Sequence, residues 1–139
     1  MNATPAPFER ILLPTDFSGF SSMARRHALA LAPRFKARLK VVHVLPDVYS
    51  SGDAKPAFLR PDAAEARKMA ERETYTFMAP AREAGIDYEL EIREGNPWRE
   101  ILAAAEEMPA DLVVMGTHGR SGAERFPLGS VAEKLMHRL

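Results

Sequence analysis

The sequence predicts an α/β fold: an open parallel sheet with helices on both faces. Three observations carry this. Three segments at Ile11–Leu13, Leu39–Leu45 and Asp111–Met115 are rich in Val, Leu or Ile, a fourth at Tyr88–Ile92 alternates, and all four read as strands. The segments that follow them repeat apolar residues at three and four, as one helix face does. Strand and helix alternate strictly, which implies parallel strands joined by right-handed crossovers.

The residues before Arg10 form a loose lead-in to the first strand. The first, second and fourth strands are apolar on consecutive positions, as expected when both faces are covered. Tyr88–Ile92 instead alternates Tyr, Glu, Leu, Glu, Ile, so one face is wet and the strand lies near or at a sheet edge. The first helix follows Ser18, with Phe20, Met23, Ala24, His27, Ala28 and Leu31 as its buried stripe. Met23, His27 and Met69 are expected to pack inside. Asp62 with Glu65 forms a capping box for the second helix, whose stripe is Ala66, Met69, Ala70, Phe77 and Ala81. Pro80 lacks an amide donor and crowds Thr76, so it kinks or ends that helix. Asn96–Pro97 opens the third, with Trp98, Ile101, Leu102 and Ala105 inward. Ser130 with Glu133 caps a last helix carrying Val131, Leu135, Met136 and Leu139. Pro46–Pro61 reads as a loop.

Composition bounds the function. A chain of 139 residues suits one domain, spanning 1–139. With 46% hydrophobic and 27% charged residues it is neither disordered nor membrane-bound, and no apolar run approaches the ~20 residues of a spanning helix. Nineteen basic and nineteen acidic residues cancel, so no bulk attraction draws it to nucleic acid or anionic lipid. The absence of cysteine excludes disulfides, thiolate metal sites and cysteine nucleophiles, and suits a reducing cytoplasm.

Ligands of such sheets bind at the carboxyl ends of the strands. The segment after the fourth strand is the most informative. Gly116-Thr117-His118-Gly119-Arg120 leaves the strand, and Gly129-Ser130-Val131 opens a helix. Glycines let a phosphate approach main-chain amides, and a helix N-terminus offers unpaired N–H groups. Ser130 could add a hydroxyl, while His118, Arg120 and Arg125 could offset charge. Ser130 equally suits a helix cap, and Asp16 equally suits a turn. His43 reads as a hydrogen-bonded core residue. There is no P-loop, no dinucleotide fingerprint, no nucleophile elbow and no His–carboxylate cluster with metal spacing.

The Gly-x2-Gly-x9-Gly-Ser spacing of Gly116, Gly119, Gly129 and Ser130 resembles the ATP-binding branch of the universal stress protein family. Leu13-Pro14-Thr15-Asp16-Phe17-Ser18 is similar to its other hallmark, and Val42-His43-Val44 and Gly95-Asn96-Pro97 also look like the family. The resemblance runs from about residue 8 to the end. It implies a Rossmann-like sheet of the adenine nucleotide alpha hydrolase type. Pro14, Thr15 and Asp16 would hold the nucleoside, Val44 would meet adenine through its backbone, and Met115 would pack near base or ribose. Gly116, Gly119, Gly129, Ser130 and Val131 would hold ribose and phosphates, beside Thr117, His118 and Arg120.

The same resemblance implies ATP, with Mg²⁺ or Mn²⁺ between phosphates, and a cytoplasmic homodimer active in stress signalling, at most a slow ATPase. The family's fifth strand, which commonly builds the dimer contact, would follow the last helix, and this sequence stops at Leu139. A stress protein without ATP, acting through protein contacts, is the alternative. A related nucleotidyl transferase or pyrophosphatase is disfavoured, because neither His-x-Gly-His nor Ser-Gly-Gly-x-Asp-Ser appears near the first strand.

Overall fold

The computed structural model describes residues 8–46 and 62–116. Within them run β1 (Arg10–Pro14), α1 (Gly19–Phe35), β2 (Arg38–Pro46), α2 (Ala63–Phe77), α3 (Ala79–Glu83), β3 (Glu89–Gly95), α4 (Pro97–Glu107) and β4 (Leu112–Val113). The strands form one sheet in the order β3-β2-β1-β4, every pair parallel. The expected open parallel sheet is therefore present. Among the described residues β3 lies at one edge, as its alternation predicts, and β4 at the other.

Both faces are covered. Ile11, Leu13, Leu39 and Val41 pack with Ala24, Ala28 and Ala32 of α1 and with Phe77, Met78 and Ala81. Leu12, Val42 and Val44 pack on the opposite face with Ile101, Ala104 and Ala105 of α4. Truncating a core residue such as the fully buried Leu12 to Ala costs about 2–5 kcal/mol.

Helix ends follow their caps. Ser18 accepts the Ser21 N–H at 3.2 Å, and Asp62 accepts the Glu65 N–H at 2.8 Å. Asn96 occupies the cap position of α4 but makes no side-chain cap bond; Pro97 starts the helix. The break expected at Pro80 falls at Met78, whose φ of −91° and ψ of 9° separate α2 from α3.

The stripe expected on α1 is rotated. Ser21, Ala24, Ala28 and Ala32 face the sheet, whereas Phe20 is 40% exposed, Met23 is 55% exposed and His27 lies outside. Small residues let the helix lie close to the strands, and Ser21 is drawn inward by bonds to Asp16. Met69 is likewise exposed, at 52%. The buried face of α2 is Ala70, Thr74 and Phe77, and Thr74 satisfies its hydroxyl on the Ala70 carbonyl at 2.7 Å. Trp98 packs against the α4-side core, as expected.

Candidate functional site

The chain passes from β1 outward through β2 to β3 and returns to β4 on the other flank of β1. The order therefore reverses between β1 and β4, and in open sheets of this kind ligands bind beyond the carboxyl ends at such a point. Pro14–Asp16 stand at and just past the end of β1, Val44 lies among the last residues of β2, and Met115–Gly116 follow β4, on three adjacent strands. Seven other expected site residues, Thr117, His118, Gly119, Arg120, Gly129, Ser130 and Val131, lie outside the described residues, as does the predicted last helix.

The turn after β1 is tightly specified. Thr15 is 5% exposed, and its N–H donates to the Val42 carbonyl at 2.9 Å. Thr15 Oγ1 accepts the Phe17 N–H at 3.0 Å. Phe17 sits at φ 65°, a left-handed conformation that a side chain with a Cβ adopts at a cost of about 1–2 kcal/mol. Its ring stacks on His43 at 4.4 Å and meets Phe77 edge-on at 5.9 Å, which holds the turn in place.

Asp16 is half-buried, and its Oδ1 is committed. That atom accepts the Ser18 N–H at 3.0 Å and the Ser21 hydroxyl at 2.7 Å. The turn role expected as one alternative is thus real. It leaves Oδ2 as the oxygen available to a ligand hydroxyl. Ser21, fully buried in the first turn of α1, is a residue the sequence reading missed. Its one signal is a hydroxyl inside a stripe of small residues, five positions after Asp16.

Val44 contributes main chain. The β1–β2 register ends at Pro14–Val42, while β2 runs on to Pro46 beside β3. Val42 turns its main-chain groups towards β1, since its carbonyl accepts from Thr15. Main-chain groups alternate sides along a parallel strand, so Val44 turns its own N–H and C=O the same way, past the end of the β1 ladder. Past the end of β4, Gly116 is buried against α1. A Cβ on it would lie 2.9 Å from Phe20 Cβ and 3.0 Å from the Phe20 carbonyl carbon. Only glycine lets the chain leave β4 so close to the helix.

Among the described residues the densest set of ion pairs lies elsewhere, on the α4 side of β3. Arg93 donates to Glu91 at 2.6 Å, to Glu100 at 2.9 Å and to Glu107 at 2.9 Å, and Lys40 reaches Glu91 at 3.1 Å. Burial alone would push the Glu91 carboxyl up, but hydrogen bonds from Arg93 and Lys40 outweigh it and hold it below the ordinary value. The bond to Glu107, then that to Glu91, pushes the Arg93 guanidinium above its usual range. No group of three or more His, Asp or Glu among the described residues could hold a metal. Two open grooves run along α2, and neither is lined by Asp16, Val44 or Met115. No described helix is long and apolar enough to cross a membrane.

Comparison with known proteins agrees with this architecture. The profile of the universal stress protein family matches residues 7–139. A universal stress protein of Methanocaldococcus jannaschii is 34% identical over 136 residues, covering 93% of this chain and 76% of that one. A family member from Burkholderia pseudomallei superposes with a TM-score of 0.72 at 28% identity, covering 97% of this chain and 92% of that one. A universal stress protein crystallised with cAMP superposes with a TM-score of 0.68 at 28% identity, covering 95% and 92%.

Proposed function

The chain belongs to the universal stress protein family, and from that membership we propose that it binds an adenine nucleotide, ATP foremost, as a stress-signalling module. What supports this most is that Asp16, Val44 and Met115–Gly116 lie at or near the carboxyl ends of the adjacent strands β1, β2 and β4, on both sides of the point where strand order reverses. A relative of similar fold holds cAMP, which supports an adenosine ligand in this crevice.

The roles divide by chemistry. Asp16 Oδ2 accepts from a ribose hydroxyl while Oδ1 stays fixed by Ser18 and Ser21. Val44 offers adenine one donor and one acceptor from its main chain. Met115 packs beside the base or ribose. The phosphates lie on Gly116, Gly119, Gly129, Ser130 and Val131, with Thr117, His118 and Arg120 alongside. A Mg²⁺ or Mn²⁺ ion, where present, travels with the phosphates, since no described cluster would hold it alone. Phosphoryl transfer needs a positioned nucleophile and charge stabilisers, so hydrolysis is slow at most. Residues 1–139 act as one domain, in the cytoplasm, as a homodimer.

Mass spectrometry of small molecules released on denaturing the purified protein tests this, followed by calorimetry with ATP, AMP and cAMP. An adenosine nucleotide in the released fraction, bound again on titration, is the expected result. No heat with any of the three would overturn the proposal in favour of a member acting through protein contacts.

A further inference from the structure

We propose that His43 is a positioning residue that keeps the main-chain edge of Val44 open to the adenine base; this rests on the nucleotide reading above. Thr15 donates its N–H to the Val42 carbonyl. Continued in register, a parallel ladder would next give the Thr15 carbonyl to the Val44 N–H. The register instead stops at Pro14–Val42. His43 Nδ1 lies 2.7 Å from the Thr15 oxygen. A carbonyl only accepts, so Nδ1 carries the proton and donates it. The imidazole thus takes the oxygen that the neighbouring strand would otherwise claim.

The same ring carries Phe17 at 4.4 Å, and Phe17 at φ 65° is the left-handed residue of the turn that follows β1. His43 therefore acts twice on one turn. It holds the Thr15 carbonyl, and it supports the left-handed residue of the turn just past the end of the ladder. The outcome is a main-chain N–H and C=O on Val44 with no β1 partner. That pair matches the exocyclic amine and ring nitrogen of adenine. Guanine presents an oxygen where adenine presents the amine, so the pair also favours ATP over GTP.

The test compares the parent with His43→Phe, which keeps a ring on Phe17 but removes the donor, and His43→Asn, whose Nδ2 replaces Nδ1. ATP and GTP affinities are measured by calorimetry, and exchange of the Val44 amide proton by NMR without ligand. In His43→Phe, ATP affinity falls about tenfold, the preference over GTP narrows, and Val44 exchange slows as its N–H turns to the Thr15 carbonyl. His43→Asn restores all three towards the parent. If His43→Phe does not fold, His43→Leu takes its place.

Unchanged ATP affinity and unchanged Val44 exchange in the donor-less variant would overturn this inference alone. So would an Asn variant no better than Phe. A parent that takes up no adenosine nucleotide would overturn both the inference and the reading beneath it.

Discussion

Ser21 Oγ donates to Asp16 Oδ1 across 2.7 Å, and the same hydroxyl oxygen accepts the Asp16 N–H at 3.1 Å. One fully buried side chain thereby fixes both the backbone and the carboxylate of Asp16. Helix packing and site geometry meet in this pair, because turning Ser21 inward also sets which face of α1 meets the sheet.

Ser21→Ala leaves the Asp16 carboxylate held by the Ser18 N–H alone. Stability falls by about 1 kcal/mol for the lost buried bond, and ATP affinity falls several-fold beyond that general loss. Asp16→Ala removes the carboxylate itself and lowers affinity further, with weaker discrimination among nucleosides. Urea unfolding and calorimetry on the same preparations separate the two effects.

Gly116→Ala places a Cβ against the Phe20 Cβ and main chain at 2.9–3.1 Å. Backbone atoms cannot rotate aside, so the end of β4 or the first turn of α1 must shift. The expected cost is about 1–3 kcal/mol, read as a lower denaturant midpoint without ligand. An unchanged midpoint would show that the two segments do not approach so closely.

Acid weakens the β3–α4 side through Glu91. Its carboxyl is held below the ordinary glutamate value of 4.5, so its contribution is complete above that value and is lost as pH falls through the lowered one. Denaturation midpoints measured from neutral pH downward should decline through that window. Glu91→Gln should flatten the decline, and Arg93→Met should lower stability even at neutral pH by stripping Glu91 of its main partner.

Gly129→Val concerns a position outside the described residues and follows from the phosphate cradle assigned to it. A branched side chain there takes the space of a phosphate. ATP affinity should vanish while the melting temperature without ligand is kept. Retained affinity would remove Gly129 from the site.

Much of the frame was legible before the structure. Apolar residues on consecutive positions marked Ile11–Leu13 and Leu39–Leu45 as strands covered twice, and alternation put Tyr88–Ile92 at an edge. Asp16 was singled out because it follows the first strand, whereas the roles of Val44 and Met115 came from the resemblance to the family and not from a local pattern. The rotation of α1 was not legible. Its apolar arc is wide enough for either Met23 or Ser21 to face the sheet, and packing distance chose the smaller. The left-handed turn at Phe17 had no signal either, since nothing in phenylalanine favours that conformation. The bond between His43 and Thr15 depends on strand register, which no local pattern encodes.

The outer strand has a consequence for the company the molecule keeps. β3 carries Glu89, Glu91, Arg93 and Glu94 along the sheet margin. Another chain zipping onto it would have to strip water from several ionised groups at once. Among the described residues, that margin carries an electrostatic guard of its own against runaway strand-to-strand growth.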